Sequence, residues 1–347
     1  MDTCQYKTWV TAALPRTDCP DCGVKTVVPP WAADHRARFT WKFETHAISV
    51  LKNAHTITNA CRILSLTWDQ VDNIKARAVQ RGLSRRDLSG LRRIGIDVKA
   101  VLKGQNYVIV VTDLDTSKVI WVGQDRTKAS LHRFFTSLPA EVIANIECIA
   151  MDMYEGFRTV CQEWIPDADK KIVIDRFHVQ KHMNEAVDTV RKQEHKALSR
   201  QGDGDLLKGT KYLWLSRSPE NLSEDHREIF ETLRKCELKT ARAYAMKQSF
   251  DWFWYYRYPA CAKRFFENWY NWAIHSQLEA MAKQAKRMKR HLPWILNFIV
   301  YGVTNAVAEG INSKIQGIKK AAYGFRNVQR FINAIYFHCG GLELNPR

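Results

Sequence analysis

Five short apolar runs between residues 94 and 175 are the strongest constraint on the fold of this chain. Each run has the length and β-branched content of a buried strand. The first three lie at hairpin spacing, and helical segments (127–138 and 155–164) separate the later ones, so the predicted order is β-β-β-α-β-α-β. The predicted strands cover residues 94–97, 107–112, 118–122, 146–151 and 171–175.

Together with the placement of the acidic residues described below, this order of elements predicts an α/β fold with a ribonuclease-H-like catalytic core. Residues 179–300 are almost entirely helical in character, which predicts a large all-helical insertion. A chain of 347 residues is long enough for two or three domains. The predicted organisation is a partial zinc-ribbon-like segment (1–45), a helix-turn-helix DNA-binding domain (46–86), the first part of the core (91–178), the helical insertion (179–300) and C-terminal helices that complete the core (301–347).

Three carboxylates occupy positions typical of a metal site. Asp97 ends the first apolar run, Asp152 ends the fourth, and Glu309 falls within the last helical pattern. We expect Asp97 and Asp152 to lie side by side across a parallel pairing. Taken singly, such an aspartate is more often a turn former, and we assign Asp113 and Asp115 to that class. Together, the three carboxylates predict a pair of Mg²⁺ ions that act on phosphodiester bonds.

The charge and the cysteine content restrict the class of protein. The formal net charge is +17 and the isoelectric point is near 9.5, so nucleic acid is the expected partner and an anionic membrane surface is the alternative. No run approaches the roughly 20 apolar residues that span a bilayer, and the first residues lack an apolar signal segment. Nine mostly scattered cysteines are typical of reduced thiols in a cytoplasm.

The last helical pattern carries a polar stripe. Its members are Asn305, Glu309, Asn312 and Gln316, at spacings of four, three and four, which places them on one helix face. Apolar residues that can face a core recur off this stripe: Val307, Ile311, Ile315 and Ile318. A solvated face usually carries Lys and Glu, so a stripe of amides around one carboxylate indicates an active-site wall.

A further acidic motif, Asp175-Arg-Phe-His178, follows the fifth predicted strand. Residues three positions apart share a face where a helix begins. Two interpretations stay open. Either Asp175 caps the helix with His178 merely nearby, or both side chains belong to the site.

Residues 56–78 predict a helix, a tight turn and a second helix. Thr67 is a natural N-cap, and Gln70 completes a capping box. Helical hairpins are common, but a DNA-reading second helix needs a cationic flank for phosphate contacts, and this one has four arginines. They are Arg77, Arg81, Arg85 and Arg86. We expect residues 81–86 to form a linker.

Cys19 and Cys22 have the spacing of a zinc knuckle. A structural zinc site needs four ligands, and the nearby candidates are Cys4 and His35. Neither belongs to a second paired knuckle. Zinc binding is therefore left open, and we do not expect a working site from this chain alone.

Aromatic and basic residues alternate in the helical region. The aromatic residues of this region, among which the stretch 250–258 stands out, could stack on bases or DNA ends, although we expect most of them to lie in the core. The basic run at 283–291 is the better candidate for direct DNA contact. Its cations are Lys283, Lys286, Arg287, Lys289 and Arg290.

Several blocks, taken in order, resemble the ISL-three (ISL3) group of bacterial insertion-sequence transposases over nearly the whole chain. They are Gly95-Ile-Asp97, Met151-Asp-Met-Tyr154, Val173-Ile-Asp-Arg-Phe-His-Val179, and residues 304–314 with 322–327. The resemblance implies that Asp97, Asp152 and Glu309 form a DDE triad that binds Mg²⁺, with an insertion between the second and third members. It also marks Asp175 and His178 as an associated pair whose role stays open. We assign this pair, with Asn305 and Asn312 of the polar stripe, to an auxiliary site, and we add Lys314 to the predicted DNA contacts.

Two positions depart from the pattern of that group. Val98 stands where an acidic residue usually follows the first aspartate, which should not affect the triad. A second cysteine pair that usually completes a zinc ribbon is absent, so we expect either a truncated copy or a misplaced start codon.

The resemblance implies a cytoplasmic, nucleoid-associated DNA transposase that uses Mg²⁺, with Mn²⁺ able to substitute. It would bind and cleave double-stranded DNA at element ends and join them to target DNA. Because two ends must be paired, we expect a homodimer or a larger assembly. One alternative is a catalytically inactive DNA-binding product of a truncated element that acts as a repressor or passive subunit. A nuclease without strand transfer is the other.

Overall fold

The structure is a computed structural model that describes residues 8–346 except 34–36, 55, 102–105, 217–219, 221 and 304–305, and except the side chains at 306, 308 and 309. The chain divides into two compact units. The first unit comprises Met1–Leu91, Val98–Phe134 and Ala308–Arg347, and the second unit comprises Arg92–Asp97 and Phe135–Val307. Within the described ranges, no helix is both long enough and apolar enough to span a membrane.

The first unit begins with an antiparallel hairpin of β1 (Arg16–Cys19) and β2 (Gly23–Thr26). Cys19 pairs with Gly23 across the turn, and Gly23 has a positive φ of 70°, which glycine adopts at little cost. The predicted turn around Cys19 and Cys22 is therefore present.

Three helices follow, and a threonine caps each of them. They are α1 (Trp41–Asn53), α2 (Ile57–Leu64) and α3 (Trp68–Ser84). Thr67 and Gln70 form the predicted capping box, and Ser65 makes the tight turn between α2 and α3 with a left-handed φ of 52°. The predicted helix, turn and helix are confirmed as elements. Helix α1 starts earlier than the helical segment expected from residue 46, because Thr40 accepts a hydrogen bond from the Phe43 N–H.

The linker predicted at residues 81–86 is wrong for residues 81–84, which belong to α3. Helix α3 continues through Gly82, which is buried. A Cβ atom at this position would lie 2.7 Å from the Cβ of Leu342. The glycine therefore permits close packing of the C-terminal segment against α3, and it does not supply a flexible joint.

All five predicted strands are present in one mixed sheet with the order β5-β4-β3-β6-β7. They are β3 (Arg93–Ala100), β4 (Tyr107–Asp113), β5 (Lys118–Gly123), β6 (Cys148–Met151) and β7 (Ile172–Ile174). Strands β3, β6 and β7 run parallel, whereas β4 and β5 form an antiparallel hairpin. In the turn of that hairpin Asp113 accepts the Asp115 N–H at 2.9 Å, as predicted for a turn residue. The turn predicted at residues 103–105 lies outside the described residues.

Four helices accompany the strands. They are α4 (Lys128–Thr136), α5 (Ala140–Ala144), α6 (Glu155–Trp164) and α7 (Ala168–Lys171). Leu131, Phe134 and Phe135 of the α4 region are buried, as their spacing predicts. Helix α6 has the bounds expected from the sequence.

The rest of the second unit is helical, as predicted for residues 179–300. Its helices are α8 (Arg176–Gln201), α9 (Lys211–Leu215), α10 (Glu224–Lys235), α11 (Lys239–Asp251), α12 (Pro259–His275), α13 (Glu279–Arg290) and α14 (Leu292–Tyr301), with 3₁₀ turns at Gly204–Leu207 and Trp252–Tyr255. Aromatic side chains such as Trp214, Phe230 and Phe250 lie in their shared core. The Glu194 carboxylate of α8 accepts the Lys239 and Thr240 N–H groups at 2.7 Å each, which satisfies the first turn of α11.

Two helices complete the first unit, α15 (Ala306–Ala321) and α16 (Val328–Cys339). Ile311 and Ile315 of α15 are buried, as predicted, whereas Val307 and Ile318 are half-buried. Helix α16 packs against α3 and β5, and its Tyr336 hydroxyl accepts the Val122 N–H at 2.8 Å.

Candidate active site

Three aspartates occupy equivalent positions at one edge of the parallel strands. The register pairs Ile96 with Met151 and Met151 with Ile174. Asp97, Asp152 and Asp175 are the next residues along these three strands, and we call this row of three carboxylates the acidic edge. Adjacent strands lie about 4.7–4.9 Å apart, and the predicted side-by-side placement of Asp97 and Asp152 follows from this pairing.

Asp152 lies in a setting that stabilises its charged form. Its Oδ1 accepts the Met153 N–H at 2.6 Å and lies 3.7 Å from both His178 Nδ1 and His182 Nε2. Burial raises the pKa of this carboxyl, but His182, His178 and the Met153 N–H lower it by more, so the pKa of Asp152 lies well below its usual range. Asp152 is therefore ionised at neutral pH.

Asp175 has the capping role, which is one of the two interpretations that the sequence left open. As the N-cap of α8, it accepts the Phe177 N–H at 2.9 Å. It also lies 4.0 Å from His178 Nε2, measured from Oδ2. The two ring nitrogens of His178 thus face different carboxylates, Asp175 and Asp152, and the cap fixes the position of the histidine between them.

His182 was missed by the sequence reasoning. It lies four residues after His178 on the same face of α8, and its Nδ1 contacts Glu185 Oε2 at 2.9 Å. The spacing of three and four in Asp175-x-x-His178-x-x-x-His182 is the signal that could have found it, because such residues share one helix face.

Helix α15 carries the third predicted triad member. The backbone at position 309 is helical, but the side chain of Glu309 and all of Asn305 lie outside the described residues. Asn312 is half-buried and Lys314 is exposed. Among the side chains that the structure describes, no three His, Cys, Asp or Glu groups lie close enough together to hold a metal ion.

Comparison with known proteins decides the family. The model of the ISL3 transposase family, described as "Transposase", matches residues 94–335, which include the whole acidic edge and α15. The chain belongs to the ISL3 transposase family.

Curated relatives agree with this assignment. The transposase for insertion sequence element IS1557 of Mycobacterium tuberculosis is 29% identical over 96% of this chain and 79% of its own length. The transposase for insertion sequence element IS1001 of Bordetella parapertussis is 28% identical over 82% of this chain and 70% of its own length. Both of these relatives are named as transposases of insertion sequences.

In this member of the ISL3 family, the four arginines predicted to flank DNA make contacts within the first unit. Glu44, which is 1% exposed, accepts from Arg77 Nε at 3.0 Å and from Arg81 Nη1 and Nη2 at 3.2 Å. Arg85 donates to the Asn345 carbonyl at 2.7 Å, and Arg86 donates to the Ile120 carbonyl. These contacts hold α1 and the C-terminal segment against α3.

The basic run of this ISL3-family chain has a different environment. Helix α13 buries Met281, Gln284, Ala285 and Met288 on one face. Lys283, Lys286, Lys289 and Arg290 are exposed, and Arg287 is half-buried. The Lys289 ammonium lies 4.3 Å from the centre of the Tyr270 ring. The exposed face of α13 is therefore a cationic surface.

The two cysteines of the hairpin turn interact with each other. Hydrogen bonding from the Cys22 side chain, and then from the Asp21 and Cys22 N–H groups, lowers the pKa of Cys19. The other candidate zinc ligands, Cys4 and His35, lie outside the described residues.

Proposed function

We propose that this chain is a DNA transposase that cleaves and joins strands at the ends of an insertion sequence, with Asp97, Asp152 and Glu309 as its DDE triad. The observation that carries the proposal is the register of β3 and β6, which makes Asp97 and Asp152 neighbours at one edge of the sheet. Membership of the ISL3 family and a net charge of +17 support DNA as the substrate.

The proposal includes the organisation predicted from the sequence. The sheet and its helices would form a ribonuclease-H-like core, and α8 to α14 would be its insertion. Helices α2 and α3 would form the helix-turn-helix that holds element ends. We further propose that the protein acts as a homodimer or larger assembly at the nucleoid, because two ends must be brought together.

Asp97 and Asp152 would hold Mg²⁺, or Mn²⁺ in its place, with Glu309 completing the set. The chemistry of these side chains suits that role, since Mg²⁺ prefers oxygen ligands and binds through a few carboxylates. When bound, such ions lower the pKa of the attacking water and neutralise charge on the leaving oxygen.

The histidines of α8 would position Asp152. Asp175 caps the helix and faces His178, and His178 and His182 both approach Oδ1 of Asp152. Partners of this kind orient a metal-binding carboxylate and keep it charged. Asp175, His178 and His182 would therefore act through Asp152, and Asn312 of α15 would belong to the same site, with Asn305 as a further predicted member.

For DNA contact, the exposed cations of α13 are better placed than the arginines of α3, which already have partners in the chain. Lys283, Lys286 and Arg290 would contact phosphates, and Lys314 of α15 would add a further contact. Arg77, whose side chain is 43% exposed, is the α3 arginine with the most surface left for DNA.

The test uses labelled duplexes that carry the ends of the element, incubated with the protein and Mg²⁺ or Mn²⁺. We expect metal-dependent nicked and joined products. Asp152→Asn should reduce product formation on the order of 10³-fold, because it removes several kcal/mol of transition-state stabilisation. Asp115→Asn, which changes a carboxylate in the β4–β5 turn, is the matched control and should retain activity.

Each of the other outcomes supports a different function. Cleavage that persists in Asp152→Asn would show that the acidic edge is not the active site. Binding without products would favour the inactive repressor or passive subunit. Nicking without joined products would favour a nuclease.

A further inference from the structure

The segment from Trp252 to Tyr258, here called the aromatic segment, exposes an unusual number of rings. Trp252, Tyr255 and Tyr258 are 66%, 67% and 72% exposed, and Tyr256 is exposed as well. In the stretch 250–258 the rings of Phe250, Phe253 and Trp254 are buried, as expected for most aromatic residues of the helical region. An exposed cluster of this size needs a physical reason, since large apolar side chains are normally buried.

The exposed rings stand on a firmly packed base. The Phe253 ring stacks on Phe250 with centroids 5.1 Å apart, and the Trp254 ring meets Phe298 edge-on at 5.1 Å. Trp252 and Tyr255 lie 5.7 Å apart, each at an end of the 3₁₀ turn. Because Phe253 and Trp254 are anchored in the core between them, the exposed rings of Trp252 and Tyr255 are held in place.

The aromatic segment contacts the start of α8, whose N-cap is Asp175, within the second unit. The Arg176 guanidinium lies 5.7 Å from the centre of the Trp254 ring. Arg176 directly follows Asp175, and His178 links Asp175 to Asp152 through contacts of 4.0 and 3.7 Å. The aromatic segment therefore meets α8 at the residue that follows Asp175, in the turn that also carries His178.

The charge around the rings suits a polyanion. Arg257, Lys263 and Arg264 are exposed, and no acidic residue occurs between Asp251 and Glu267. A second copy of the chain is a poorer occupant, because a two-fold contact would oppose these like charges. Nucleic acid offers both phosphates for the cations and flat bases for the rings.

We infer that the aromatic segment stacks on unpaired bases of a DNA strand held at the acidic edge. In a duplex the base faces are covered by their neighbours, so only an unstacked or flipped base offers a free face. This inference rests on the proposed function and adds to it the feature of the substrate that the second unit recognises, namely locally unpaired DNA.

The test measures binding without metal, so that no cleavage occurs. The full chain is titrated into a fully paired labelled duplex and into the same duplex with a short unpaired extension, on either strand, that contains 2-aminopurine. The wild type should bind the extended duplex about 5- to 100-fold more tightly, the range that one stacked base provides, and binding should change the 2-aminopurine fluorescence. Trp252→Ala combined with Tyr255→Ala should abolish both effects and leave affinity for the paired duplex unchanged.

Two matched variants make the result specific. Trp252→Phe keeps a stacking ring and should retain most of the preference. Tyr212→Ala removes an equally exposed ring (75%) from α9 and should change nothing. The inference is overturned if the wild type binds both duplexes equally, or if the double variant weakens both to the same extent. It is also overturned if the double variant alters only the oligomeric state, which would make the segment a protein interface.

The outcomes separate this inference from the proposed function. Asp152→Asn should keep the preference for unpaired DNA, since stacking does not need the triad. If Asp152-dependent cleavage occurs without any such preference, only the stacking inference fails. If the preference is present but no metal-dependent cleavage occurs, only the proposed function fails.

Discussion

Residues 77–86 and 283–290 are both rich in cations, yet the protein uses them in opposite ways. The first stretch supplies four arginines whose donors are occupied by Glu44 and by carbonyl groups of the first unit. The second places most of its cations on the open face of α13. Charge density alone therefore does not identify a DNA-binding surface.

The residue type and the spacing account for the difference. The guanidinium group offers five donors in a rigid fork, which suits carboxylates and carbonyls inside a protein. Arg77 and Arg81 are four residues apart and face the buried Glu44 together. On α13 three of the five cations are lysines, whose hydrated ammonium groups favour the surface, and they alternate with a buried stripe of Met and Ala.

The largest expected effect comes from breaking the arginine cluster. Glu44→Gln leaves Arg77 and Arg81 without their buried carboxylate, so we expect a loss of about 3–5 kcal/mol in the free energy of unfolding. Urea unfolding followed by circular dichroism measures it. Glu279→Gln, at an exposed position at the start of α13, is the control and should stay within about 0.5 kcal/mol of the wild type.

DNA affinity separates this effect from a binding role. In the absence of urea, the Glu44→Gln variant should bind duplex DNA with the same affinity as the wild type. If the variant kept its stability and lost DNA affinity instead, the arginines would be DNA contacts and their assignment to the fold would be wrong.

The cationic face of α13 should show the reverse pattern. Replacing Lys283, Lys286 and Arg290 by alanine should weaken duplex binding by about 10- to 100-fold, and each lost phosphate contact should reduce the salt slope by about 1. Stability should change by no more than about 0.5 kcal/mol, because these side chains are exposed. Fluorescence anisotropy over a series of salt concentrations measures both the affinity and the slope.

An unchanged salt slope in this triple variant would contradict the assignment of α13 to the DNA surface. Arg81→Ala is the companion measurement, since Arg81 is only 14% exposed. It should lower stability and leave the slope unaltered.

Elements that depend on local signals were predictable from the sequence. The five strands, α6 and the Thr67–Gln70 capping box follow from apolar runs and cap residues alone. The placement of Asp97 beside Asp152 was also predictable. Two adjacent parallel strands that each carry an acidic residue at the same register position bring the two carboxylates together.

Features that depend on distant parts of the chain were not predictable. Arg81 contacts the Leu344 carbonyl 263 positions away, and no local pattern reveals such a partner. His182 was missed for another reason. Its spacing from Asp175 and His178 is a local signal, but the signal has meaning only once α8 is known to be capped by Asp175 and to turn this face toward Asp152. The site role of Glu309 stays a prediction.

The smallest expected effect tests the prediction of a linker at residues 81–86, which is wrong for residues 81–84. In a flexible linker or at a solvent-exposed helix position, Gly82→Ala would stabilise the protein by about 0.5–1 kcal/mol. Alanine reduces the conformational entropy of the unfolded chain and has a higher helix propensity than glycine. Here the added Cβ would lie 2.7 Å from the Leu342 Cβ, so the C-terminal segment must shift. We therefore expect a net destabilisation of about 1 kcal/mol, measured by urea unfolding beside the wild type.

The sign of the change in stability distinguishes the two accounts of Gly82, because a flexible linker predicts stabilisation and close packing predicts destabilisation. Leu342→Ala removes side-chain atoms beyond the Cβ but keeps the closest contact, so the Gly82→Ala penalty should persist in that background. Leu342→Gly removes the opposing Cβ, and there the same substitution should become neutral or stabilising. A stabilising Gly82→Ala in the otherwise wild-type chain would mean that the C-terminal segment does not pack on α3, and the internal role of the neighbouring Arg81 and Arg85 would then lose its main support.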